Sequence, residues 1–103
     1  MGPQFVDTVQ REIAEEKAGA MGRTGRRLQD AIDLYREHER RAPAPRHSHA
    51  ERERLLWDLA ERVESLLVQR EACGLRDSRY VLAFYGVPQE AVARVGARRP
   101  AQS

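Results

Sequence analysis

Three things are scarce in this chain of 103 residues, and each scarcity excludes something. Cysteine occurs once, as Cys73, which rules out an intramolecular disulfide and a cysteine-rich metal knuckle. Long apolar runs are missing. Nothing approaches the roughly 20 residues a membrane-spanning helix needs, and the N-terminus carries no signal-peptide core. Met1-Gly2 opens like an acylation signal, but Pro3 and Val6 break that pattern. These absences lead to the expectation of a cytoplasmic protein in a reducing compartment, without membrane contact and without a cofactor. Lysine also occurs once, as Lys17, against 17 arginines. Arginine grips planar anions better than lysine does, but genomic base composition is the blander cause and is preferred. The net charge of +2 is too small to announce a nucleic-acid partner.

What is present is charge and helical periodicity. Charged residues make up 33% and aromatics 6%, giving a well-solvated surface over a lean core. Residues 4–40 read as one long helix. Val6, Val9, Ile13 and Ala14 set a three–four spacing that Leu28, Ala31, Ile32 and Tyr35 resume. Gly19, Gly22 and Gly25 interrupt it, each costing about 1 kcal/mol relative to alanine inside a helix. Either the helix breaks near Gly22 and restarts with Thr24 as cap, or Ala14, Ala18 and Gly22 form a small-residue strip that lets a second backbone come close. The four-residue spacing favours the strip. The connector Arg41-Ala-Pro-Ala-Pro-Arg-His-Ser forbids helix through its two prolines.

The second helix spans about 49–73, with Ser48 as cap and Glu51 completing a capping box. Its stripe of Leu55, Leu56, Leu59, Val63 and Leu66 is widened by Trp57, Ala60, Leu67 and Val68. That width calls for two neighbours. One is the first helix; the other is the C-terminal segment or another chain, and Trp57, Leu67 and Val68 mark that second interface. Gly74 closes the helix in the left-handed position. Two short helices follow, at 78–85 (closed by Gly86) and 88–95 (with Pro88 at its first position and closed by Gly96). Residues 1–96 form one domain and 97–103 a flexible tail.

Lengths add a constraint. At 1.5 Å per residue the first helix spans about 55 Å and the second about 37 Å. An antiparallel hairpin leaves the N-terminal third of the first uncovered, and the short helices emerge at that level. This register sets Gly22 opposite Val68 and Ala18 opposite Ala72. It also brings Arg70 near Glu16, and Glu71 near Lys17 or Arg23. A polar corner of Glu16, Arg23, Arg70, Glu71, Cys73, Arg76 and Asp77 is therefore expected.

Arg70-Glu-Ala-Cys-Gly-Leu-Arg-Asp77, followed by Tyr80-Val81 and Tyr85-Gly-Val-Pro88, resembles a family of small bacterial proteins of unknown function. Glu16-Lys-Ala18 and Gly22-Arg-x-Gly-Arg-Arg-Leu28 belong to the same pattern. The resemblance spans most of residues 10–96. It implies a short helical protein whose corner and glycine segment are its signature, and it brings no activity, cofactor or substrate.

Four chemistries compete with the structural reading of these residues. Residues 81–95 are similar to a bacterial helix-turn-helix, with Gln89, Glu90, Ala93 and Arg94 of a recognition helix facing the major groove. Leu82 in a slot that wants a small residue, Pro88 in place of a polar cap, and Glu90 facing phosphates all count against it. Gly19-x-x-Gly22-x-x-Gly25 lacks the preceding strand and the Lys-Ser/Thr of a phosphate loop. His47 and His49, with His38 nearby, lie in or beside the connector without a fixed carboxylate, so no metal site is expected. Cys73 sits at a helix C-terminus, whose negative dipole end disfavours the thiolate, and reads as a buried small hydrophobe.

The sequence thus predicts an all-α protein: a long antiparallel helical hairpin with two short C-terminal helices, completed by homo-oligomerisation. Non-catalytic protein–protein interaction or assembly is the first functional expectation. A DNA-binding module over 78–95 is the alternative, and an enzyme or ligand binder using the Glu16/Arg23/Arg70/Glu71/Arg76 cluster comes third.

Overall fold

A computed structural model describes residues 10–11, 22–41, 47–75 and 78–100. Helix α1 spans Gly22–Arg41, α2 His47–Ala72, α3 Ser78–Tyr85 and α4 Gln89–Val92. Gln10 and Arg11 are also helical, and there is no strand among the described residues. The architecture is all-α, with α1 and α2 forming a long antiparallel hairpin and α3 and α4 the two short C-terminal helices. The part of the expected first helix before Gly22, other than Gln10 and Arg11, lies outside the described residues.

The apolar spacing builds the core. Leu28, Ile32 and Tyr35 on α1 meet Leu55, Leu56, Leu59, Val63 and Leu66 on α2, and Val81, Tyr85 and Ala91 close the cluster. Leu28, Ile32, Leu56, Leu59, Val63 and Leu66 are wholly buried, each contributing about 1.5–3 kcal/mol. The antiparallel register is visible in Arg52, which donates from Nε to Glu39 (2.9 Å) and from Nη2 to the Tyr35 hydroxyl (3.0 Å). On the exposed end of α1, Arg40 and Arg41 both clasp Glu37. Three basic residues of the last turn, His38, Arg40 and Arg41, complement its negative dipole end.

Gly74 and Gly86 stop their helices as the sequence predicts, whereas Gly96 lies four residues past the end of α4. Gly74, Gly86 and Gly96 all have positive φ, at 77°, 72° and 80°. After α2, the Leu75 amide donates to the Arg70 carbonyl (2.9 Å) and the Gly74 amide to Glu71 (3.0 Å), the paired bonds of a Schellman turn. The Val87 and Gly86 amides repeat this on Leu82 and Ala83 after α3.

Several boundaries differ from expectation. Gly22 and Gly25 are helical, so Thr24 lies inside α1 and is not a cap; Gly19 is outside the described residues. The second helix begins at His47, which puts Ser48 in the first turn. Glu51, expected to reach back in a capping box, instead accepts from Arg54, an ionic donor one turn ahead. The last helix is four residues long rather than eight. Pro88 is its N-cap at φ −60°, ψ 142°, and beyond Val92 the chain tightens through Arg94 amide to Ala91 and Val95 amide to Val92 bonds.

Candidate functional site

The polar corner is built around one residue, Arg70. It continues the α2 stripe of Leu56, Leu59, Val63 and Leu66 at the same three–four spacing and is completely buried. Tyr85 from α3 lies close enough for the Arg70 charge to oppose the rise that burial causes in the tyrosine pKa. The Tyr85 hydroxyl also abuts Gly25 of α1, where an added Cβ would come within 2.7 Å of Oη. Gly25, Arg70 and Tyr85 therefore bring three helices to one point. Gly25 accommodates the tyrosine hydroxyl here; of the small-residue strip expected at Ala14, Ala18 and Gly22, only Gly22, which is buried, is among the described residues.

The remaining corner residues do not join that point. Arg23, Glu71 and Cys73 are exposed, and among the described residues Arg23 and Glu71 form no ion pair with each other. Cys73 corrects the expectation of a buried thiol. Residues 71–74 are all exposed, because the last turn of α2 projects past the core that ends at Leu66 and Arg70. Glu16, Arg76 and Asp77 lie outside the described residues.

Three arginine clamps, which the sequence did not single out, tie the C-terminal segment to the hairpin. Arg52 on α2 donates to both carboxylate oxygens of Glu90 (2.5 and 2.9 Å) while its guanidinium lies 5.7 Å from the Tyr35 ring centre. The Arg52 hydrogen bonds hold the Glu90 carboxyl below its ordinary pKa, and the same bonds raise the pKa of Arg52. Arg94 donates to both oxygens of Glu53 (3.0 and 3.1 Å) and covers the Trp57 ring at 5.7 Å. Arg99, in the segment with no apolar pattern, donates to Asp58 (2.9 Å) and Glu61 (3.2 Å). Gly86 is held as well, its carbonyl accepting from Arg36 Nη2 (3.1 Å). The signal available in the sequence was the presence of carboxylates at 53, 58, 61 and 90, but choosing partners needs the tertiary placement of α4.

These clamps occupy the groups a recognition helix would present. Glu90 and Arg94 are both paired with α2, and α4 is only four residues long. Among the described residues no group of three His, Cys, Asp or Glu side chains could hold a metal ion, and no helix is long and apolar enough to cross a membrane.

The expected interface residues separate into two groups. Trp57 is half-buried beneath Arg94, and Leu67 packs against the core. Val68 stays 59% exposed. The C-terminal segment thus takes the Trp57 end of the widened stripe and leaves the Val68 end open. A second uncovered apolar residue is Leu34 on α1, at 60%. It lines an open groove between the long helices with Arg27, Asp30 and Ala31 of α1 and Asp58, Glu61, Arg62 and Ser65 of α2. Leu34 lies nine positions from Gly25, two and a half helical turns, so it faces away from the side that α3 covers. Phe84 of α3 is 43% exposed.

Fold and surface together define an all-α hairpin protein closed on one side by its own C-terminus. No family model, curated protein or solved structure matches the chain.

Proposed function

We propose that this chain is a non-catalytic protein–protein interaction or assembly module. The observation that carries the reading is the uncovered apolar surface on both long helices. The C-terminal segment half-covers Trp57, yet Leu34 and Val68 keep more than half of their surface in water. A helix buries an apolar side chain of this size for roughly 1.5–3 kcal/mol, and a small chain with a lean core gains from a neighbour that supplies this burial. The arginine clamps support the same reading. They join α4 and the segment after it to α2, which leaves the Leu34 and Val68 surfaces uncovered.

The test is sedimentation velocity with light scattering on the full chain across micromolar concentrations. The reading expects a mass above that of the 11.8 kDa chain, falling with dilution and reduced by Leu34→Glu or Val68→Glu. A single 11.8 kDa species at every concentration would overturn the assembly reading.

A further inference from the structure

Between residues 23 and 37 the outer face of α1 carries its charges in two blocks, with Arg40 and Arg41 beyond them. Residues 23, 26, 27, 30, 33, 34 and 37 recur at helical spacing on the side turned away from Gly25. Arg23, Arg26 and Arg27 occupy the first half; Asp30, Asp33 and Glu37 occupy the second, around Leu34. Arg23, Arg26, Arg27, Asp30 and Asp33 are all exposed. Glu37 is engaged by Arg40 and Arg41, whereas Arg27 and Asp30 sit in the open groove and make no ion pair among the described residues.

From residue 23 to 34 this face is positive first and negative after, and the next charge, Glu37, is already paired with Arg40 and Arg41, so this stretch is complementary to itself when reversed. From this we infer that the face is an isologous interface with a second copy of this chain, α1 against α1 in antiparallel orientation. The inference rests on the assembly reading and names its partner and surface. In a two-fold interface each contact occurs twice. The register that keeps like charges apart puts the axis between Arg27 and Asp30. Arg27 then meets Asp30 of the second copy, and Arg23 lies over its Leu34. The aliphatic stem of an arginine covers apolar surface while its head stays in water, so Leu34 is covered without burying a charge. Ala31, small and half-buried at the groove floor, lets the helices approach. A parallel arrangement would set arginine on arginine and aspartate on aspartate, which is unfavourable across an interface.

Charge reversal tests this with the full chain, read as the dimer dissociation constant by sedimentation velocity, with circular dichroism to verify that each variant is helical. Arg27→Asp alone and Asp30→Arg alone each place like charges on both symmetric contacts and should weaken association at least about 10-fold. The double variant restores both contacts and should return to within about 3-fold of the natural chain. Single variants that weaken association without recovery in the double would overturn the pairing. Association that ignores both reversals but is lost in Val68→Glu would overturn this inference and leave the assembly reading standing. A natural chain that stays monomeric would overturn both.

Discussion

Replacing Gly25 with alanine tests the convergence of three helices most sharply, because two effects of similar size oppose each other there. Alanine in place of glycine favours a helix interior by about 1 kcal/mol. Against this, the new Cβ would lie 2.7 Å from the Tyr85 hydroxyl oxygen, well inside contact distance. Tyr85 is only 5% exposed, so overpacking of about 1–3 kcal/mol applies. In the natural chain, Gly25→Ala should therefore lose about 1 kcal/mol net. Removing the hydroxyl changes the sign. In a Tyr85→Phe background the nearest ring atom is 3.7 Å from that Cβ, an ordinary contact, and only the helix gain remains. Gly25→Ala should then stabilise by about 0.5–1 kcal/mol. The assay is urea denaturation followed by the helical circular dichroism signal, in which 1 kcal/mol moves the midpoint by about 0.3–1 M. The four proteins form a double-mutant cycle. Equal effects of Gly25→Ala in both backgrounds, within about 0.5 kcal/mol, would refute the contact.

Other consequences follow from the clamps and the exposed thiol. Arg94→Ala should uncover the single tryptophan, shifting Trp57 emission to longer wavelength with a stability loss of about 1 kcal/mol or less; unchanged emission would contradict the stacking. Hydrogen bonds from arginines hold the carboxyls of Glu37, Glu51 and Glu90 below their ordinary value of 4.5. A lowered folded pKa means that the stability these groups contribute is present above 4.5 and lost as the pH falls through the folded values. Melting temperature should thus fall on acidification below 4.5, less steeply in Arg52→Ala, and a flat or rising profile there would count against the clamps. Cys73 should react with a thiol reagent in the native protein without prior unfolding, since it is exposed; protection until unfolding would contradict its placement. Duplex DNA should give no salt-dependent binding at low ionic strength, and binding abolished by Arg94→Ala would revive the helix-turn-helix reading.

Much of this fold could be read from residue spacing, and the reasons are local. The stripe from Leu55 to Leu66 repeats at helical period, and Gly74 and Gly86 stand where a left-handed residue ends a helix. These are properties of a few neighbouring residues. Arg70 was a harder case. Its spacing continues the buried stripe, but its charge made it look like part of a surface cluster; periodicity was the better guide. The Arg52–Glu90, Arg94–Glu53 and Arg99–Asp58 pairs were not legible. Each joins residues 38 to 41 positions apart, and with arginines on every exposed face the sequence does not rank the partners. Cys73 was misjudged because its spacing fits a buried position while the helix has already run past its core. Leu34 was overlooked because an isolated leucine among charges gives no stripe.

The account turns on whether α1's outer face and the Val68 end of α2 stay bare in solution. The most direct measurement is sedimentation velocity of the natural chain beside Leu34→Glu, over a wide concentration range. The account predicts a reversible species heavier than one 11.8 kDa chain, displaced toward the monomer by Leu34→Glu. A single monomeric boundary for both proteins at every concentration would contradict it.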